Sequence, residues 1–112
     1  MIMTKTISLT TPMISVNKMY RGRRFLSKEG KDTKSAIAWE IASKGKFEPL
    51  ETPVALNIIF YVKNNRADID NMLKALLDCM TGIVYKDDSQ IMELHCFKEI
   101  DKENPRTIIQ IL

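Results

Sequence analysis

The sequence predicts a mixed α/β (α+β) fold: a single domain over residues 1–112, with elements in the order β-α-β-α-β-β and a mixed sheet with helices packed on it. Three observations predict it. A chain of 112 residues split into two cores would leave each half too little apolar surface to bury. Val54, Leu56, Ile58, Phe60 and Val62 keep a period of two, while Ala55, Ile59 and Tyr61 make the other face partly apolar, the pattern of a central strand. Ile69, Met72, Leu73, Leu76, Leu77 and Met80 then recur at helical spacing over Asp68 to Thr81, and Gly82 is placed to stop that helix.

The remaining elements follow from shorter patterns. Thr4 to Thr10 alternates polar and apolar residues and reads as a strand with one buried face. Pro12 to Phe25 holds Pro, Ser, Asn, Gly and four basic residues without a sustained period, which predicts a surface loop. Ser27 is a helix cap for a segment running through Lys34, Ile37, Ala38, Trp39 and Ile41 to near Gly45, although Gly30 weakens its first turn. Ile91 to Ile100 and Thr107 to Leu112 read as strands joined by the turn-forming stretch Asp101 to Pro105, which predicts a hairpin.

Composition narrows the function classes. Apolar residues make up 45% and charged residues 28%, a balance that belongs to globular chains and excludes disordered or collagen-like ones. No apolar run approaches the roughly 18 residues of a membrane span, and no charged segment leads into a long apolar stretch at the start, so a cytoplasmic protein without a membrane partner is expected. Cys79 and Cys96 lack a Cys-x-x-Cys pattern and read as buried free thiols. The net charge of +3 is unevenly spread. From Lys18 to Lys34, seven basic residues, Arg21, Arg23 and Arg24 among them, face only Glu29 and Asp32, leaving +5 there and −2 elsewhere. Clustered Lys and Arg gain affinity for polyanions by releasing counterions from phosphates, while a solvated charged loop has the same composition.

The carboxylates point to chemistry. On a wheel advancing about 100° per residue, Asp70, Asn71, Lys74 and Asp78 share one strip opposite the apolar residues. Asp68 precedes that strip at the expected N-cap, where helix amides and the macrodipole favour negative charge. A cap, an acid in the first turn and a Lys four residues on also describe an ordinary helix start. Asp87-Asp88-Ser89 alone reads as a turn opening a strand. Reach allows more: thirteen helical steps rise about 20 Å, and the six residues Ile83 to Asp88, fully extended, span at most that much. A segment running back along the helix would bring Asp88 level with Asp68 and Asp70. Three converging carboxylates ionise together only with a cation, and all-oxygen ligation selects Mg²⁺ or Mn²⁺. Such an ion suits phosphodiester hydrolysis, with Lys74 contacting the scissile phosphate or the attacking water.

Other residues carry weaker signals. His95 beside Cys96 gives no zinc site, because strand neighbours point to opposite faces and no other His exists. Trp39 and the seven Met residues read as core or interface filling. Tyr20 and Phe25, among the arginines, either stack on exposed bases or pack the loop down.

The run R-A-D-I-D-N-M-L-K-A-L-L-D-C-M-T-G-I-V-Y-K-D-D-S-Q-I, from Arg66 to Ile91, resembles the acidic core of the RusA family of Holliday junction resolvases. The shared pattern is a basic residue, D-x-D-N, a Lys four residues beyond the second Asp, a further helix Asp, and D-D-x-Q. Upstream, Ser15, Asn17 and Tyr20 resemble the family's Ser-x-Asn motif and following aromatic. The resemblance implies catalytic, metal-binding acids at Asp68, Asp70 and Asp88, a catalytic lysine at Lys74, and DNA contacts from Asn17, Lys18, Arg21, Arg23, Arg24 and Arg66. It implies a homodimer using Mg²⁺ or Mn²⁺ to nick two strands of a four-way junction symmetrically, often encoded in prophages. A two-fold protein places two equivalent sites on a nearly two-fold substrate. Two other readings remain: a non-catalytic module for branched DNA whose carboxylates only cap a helix, and an RNA-binding domain, which the lack of paired strand aromatics beside Lys or Arg disfavours.

Overall fold

Period-two segments become strands and the period-3.6 segment becomes a helix, so most expected elements appear where the pattern put them. The computed structural model describes residues 5–22, 25–45 and 48–112. Its elements are β1 (Lys5–Leu9), α1 (Val16–Met19), β2 (Tyr20–Arg21), β3 (Phe25–Leu26), α2 (Lys28–Ser43), β4 (Val54–Val62), α3 (Ile69–Met80), β5 (Ile91–Ile100) and β6 (Arg106–Ile111), with a 3₁₀ turn at Asp88–Gln90 before β5. A four-stranded mixed sheet has the order β1-β6-β4-β5, and β2 with β3 forms a small separate ribbon. α3 links β4 to β5, which run parallel, while β6 is antiparallel to both β4 and β1.

Register explains the core. Ile58 lies opposite Ile109, which lies opposite Ile7, so alternate residues of three strands line up on one face. Leu9, Leu56, Phe60 and Ile111 extend that face, and Ile37 and Ile41 of α2 with Met72, Ala75, Leu76 and Cys79 of α3 complete the same buried cluster. Each fully buried Leu or Ile side chain contributes about 1.5–3 kcal/mol relative to exposure. The opposite face carries half-buried Ile59, Tyr61 and Ile108, with Asn57 Nδ2 donating to Gln110 Oε1 at 2.7 Å.

Three expectations need correction. β5 and β6 are not a hairpin: β4 lies between them, and the 101–105 connection crosses its end, where Asp101 N–H donates to the Val62 carbonyl at 2.8 Å. Alternation marks a strand but not its partner. The Pro12–Phe25 stretch is not a featureless surface loop, since α1, β2 and the start of β3 lie within it and Met19 is fully buried. Gly30 does not merely weaken a helix. Ser27 caps α2 by accepting from Gly30 N–H at 2.9 Å while donating to the Lys18 carbonyl at 2.6 Å, and this draws α1 so close that a Cβ at Gly30 would fall on the Met19 carbonyl.

Both cysteines are free thiols, as expected; Cys79 is buried, whereas Cys96 is only half-buried. Burial pushes the Cys79 thiol up to about 11 despite the opposing pull of Lys34. Trp39 is 75% exposed, so it is not core. No helix among the described residues is long and apolar enough to cross a membrane. β5, at the sheet edge, leaves Met92, Phe97 and Ile100 more than half exposed.

Candidate active site

α3 begins after Asp68, which is extended at its N-cap and follows a loop tied to the sheet. Lys98 of β5 occupies a position whose strand parity is that of Leu94 and Cys96, and its Nζ donates to the Ala67 carbonyl at 2.8 Å. Arg66 N–H donates to Asn64 Oδ1 at 3.0 Å. Backbone and loop thus fix Asp68 and Asp70 at the positive end of the α3 dipole.

Neither acid is used to build the helix. The Asp68 side chain makes no capping hydrogen bond, and its contact from Asn71 Nδ2 is 3.4 Å, longer than a good hydrogen bond. Asp70 and Lys74 are exposed, and among the described residues Lys74 forms no ion pair within 4.0 Å. The ordinary reading, a cap with an i,i+4 pair, is therefore not realised.

At the other end of α3, Asp78 is occupied. Tyr20 OH donates to Asp78 Oδ2 at 2.9 Å; burial, then that hydrogen bond and the Asp78 charge, push the phenol up to about 12. This resolves the reading of Tyr20: it packs its segment onto α3. Asn17, Lys18 and Arg21 lie exposed on the same segment, Arg66 is exposed near Asp68, and Arg23 and Arg24 lie outside the described residues.

The expected return of Asp88 to Asp68 and Asp70 within one chain does not occur. Gly82, at φ +84°, turns the chain tightly; Ile83 and Val84 donate to the Met80 carbonyl, and Tyr85 OH donates to the Leu77 carbonyl at 2.7 Å. Residues 81–85 close the C-terminal end of α3 instead of running along it. Asp87 accepts from Ser89 N–H at 3.1 Å, Gln90 Oε1 accepts from Asp87 N–H at 2.9 Å, and Gln90 Nε2 reaches the Leu50 and Thr52 carbonyls. Those bonds set Asp88 just before β5, whose first residue lies beside Val54 at the start of β4. The twelve residues of α3 rise about 18 Å between that end and Asp68. Among the described residues, no three His, Cys, Asp or Glu side chains group as a metal site.

Sequence reasoning missed Lys98, the Tyr20–Asp78 bond and the role of Gln90. Asp87-x-x-Gln90 carries a capping-box signature, and Lys98 is a charge at the parity of an apolar row. Asp68 and Asp70 offer exposed carboxylate oxygens, one of them in a long contact from Asn71, a donor set that fits a hard dication and leaves positions for water and phosphate.

The sequence model of the family Endodeoxyribonuclease RusA matches residues 10–112, and the chain belongs to that family. A crossover junction endodeoxyribonuclease RusA from Aquifex aeolicus (strain VF5) is 37% identical over 76 residues, covering 65% of this chain and 60% of the relative. The chain thus matches somewhat under two thirds of that relative's length.

Proposed function

We propose that this protein is a structure-selective endodeoxyribonuclease that resolves four-way DNA junctions with Mg²⁺, or Mn²⁺, acting as a homodimer. The observation that carries the reading is the Asp68, Asp70 and Lys74 constellation: three exposed charged side chains at one helix end, where Asp68 does not cap and, among the described residues, Lys74 forms no ion pair, in a chain of this family. Asp68 and Asp70 would hold the ion, which when bound supplies Lewis acidity toward a phosphodiester and a water of lowered pKa. Lys74, one turn beyond Asp70, offsets charge on the phosphate. Lys98 keeps the preceding loop in place through Ala67. Asn17, Lys18, Arg21 and Arg66 meet the DNA backbone, and the same role is assigned to Arg23 and Arg24 on charge alone.

The position of Asp88 supports the dimer. β5 is a ten-residue edge strand with exposed apolar side chains, a form that proteins ordinarily cover or pair. Two copies pairing β5 with β5 about a two-fold axis would lay the start of one strand beside the end of the other. Asp88 of the partner subunit then approaches Asp68 and Asp70, where Lys98 already ties β5 to the α3 start. Each site would be completed across the axis, matching two nicks to two-fold DNA.

The test is a nicking assay on four-way, three-way and linear DNA, with Mg²⁺ and with chelator. Paired symmetric nicks confined to the four-way junction and abolished by chelator are expected. Junction binding without nicking under Mg²⁺ would instead make it a binding module.

A further inference from the structure

Close to the Asp68 end of α3, the ends of β1 and β4 and the start of β6 border an open-sided cavity of about 470 Å³, within the range of small-molecule sites. Buried Phe60 and Met72 line it together with the apolar walls Met13 and Pro105. Behind it, on the opposite face of the sheet, the Arg106 guanidinium lies 3.9 Å from the centre of the Tyr61 ring and donates to Asp101 Oδ2 and the Asn104 carbonyl, each at 2.9 Å, which fixes the turn that carries Pro105. On one lip stand exposed Lys63 and Asn64; the Asn64 side-chain oxygen accepts from Arg66 N–H, which leaves its NH₂ to offer. The opposite lip, Thr10–Thr11, is pinned by Glu40 through four hydrogen bonds of 2.6–3.0 Å. Ala67, which lines the cavity, is covalently next to Asp68.

We propose that this cavity receives a nucleobase swung out of the DNA stack beside the phosphate engaged by Asp68 and Asp70, an inference that rests on the nuclease reading above. A base has flat apolar faces and a hydrogen-bonding edge. The apolar lining suits the faces, and the Asn64 amide suits the edge. Lys63 and Arg66 lie where the flanking backbone phosphates must pass if the attached phosphate reaches Asp68. A base leaves its stack most readily where pairing or stacking is already interrupted, as at a branch point, so the cavity would also favour branched over linear DNA.

The test places the fluorescent base 2-aminopurine in turn at each position flanking the nick of a synthetic four-way junction, read at saturating protein without divalent cation. With wild type, emission is expected to rise severalfold at one position. Pro105→Phe, which grows a ring into the cavity, should at least halve that rise, and Asn64→Ala, on the exposed lip, should lower it. Should Pro105→Phe fail to fold, Asn64→Ala carries the test, and an unchanged rise in it overturns the proposal. A wild-type protein that binds and nicks junctions yet leaves every position dark overturns the cavity assignment alone. One that neither binds nor nicks overturns the nuclease reading and the cavity with it.

Discussion

The two ends of α3 use the same residue type in opposite ways. At the C-terminal end Asp78 is held by Tyr20, and beyond it Asp87 is held by the backbone of a 3₁₀ turn. At the N-terminal end Asp68 and Asp70 sit at a position where capping would stabilise the helix, yet Asp68 does not cap. Forgoing a cap costs about 1 kcal/mol. A carboxylate kept out of such a bond remains available to something outside the fold, and that separates a site from a scaffold.

Breaking the N-terminal end should give the largest effect. Asp70→Asn is expected to reduce junction nicking to background while junction binding persists, because it removes a ligand charge and some repulsion of phosphate; gel assays of both on one preparation check it. Asp88 can be assigned to its own chain or to its partner by mixing Asp70→Asn and Asp88→Asn proteins, each inactive alone. If the two-fold brings Asp88 across, the mixed dimer contains one site with all carboxylates intact and nicks one strand; silence in the mixture places Asp88 elsewhere. Lys74→Ala should slow single-turnover nicking by roughly a hundredfold, with a melting temperature close to wild type. Cleavage within threefold of wild type at saturating Mg²⁺ would remove Lys74 from the site.

The occupied acids should respond the other way. Tyr20→Phe deletes a hydrogen bond to a half-buried carboxylate and should cost about 0.5–1.5 kcal/mol of stability in denaturant titration, with little change in nicking rate. The smallest effect belongs to Glu40. Burial alone would raise its carboxyl, but the hydrogen bonds from Thr10 and Thr11 outweigh burial and hold it below the usual glutamate value of 4.5. A carboxylate depressed by folding stabilises the fold fully above that value and loses its contribution as the pH falls below 4.5 through the lowered one. Melting curves across that acid range should show wild type losing stability more steeply than Glu40→Gln.

Much of this was legible in the sequence, and the misreadings have physical causes. Val54–Val62 and Ile69–Met80 were readable because each repeats its period long enough to leave no alternative. The four-residue α1 and the two-residue β2 and β3 are shorter than any such repeat. β5 was found but mispaired, since strand identity is local and strand partnership is not. The acids of D-x-D-N were placed correctly at the start of α3, whereas Asp88 was misplaced because a reach argument gives only an upper bound. The tight turn at Gly82 and the anchoring of Tyr85 to Leu77 used up the length that the extended path required.

The position of β6 governs when this protein can come into being. The strand nearest the C-terminal end of the sequence lies in the interior of the sheet, with β1 on one side and β4 on the other. During translation the first strand emerges without a sheet partner and waits while about a hundred residues follow, and β4 stays open along one edge until the same moment. Such long-range closure makes folding slow and leaves the growing chain dependent on protection from aggregation. It also means that the sheet holding the acidic helix end cannot close until β6 has been made.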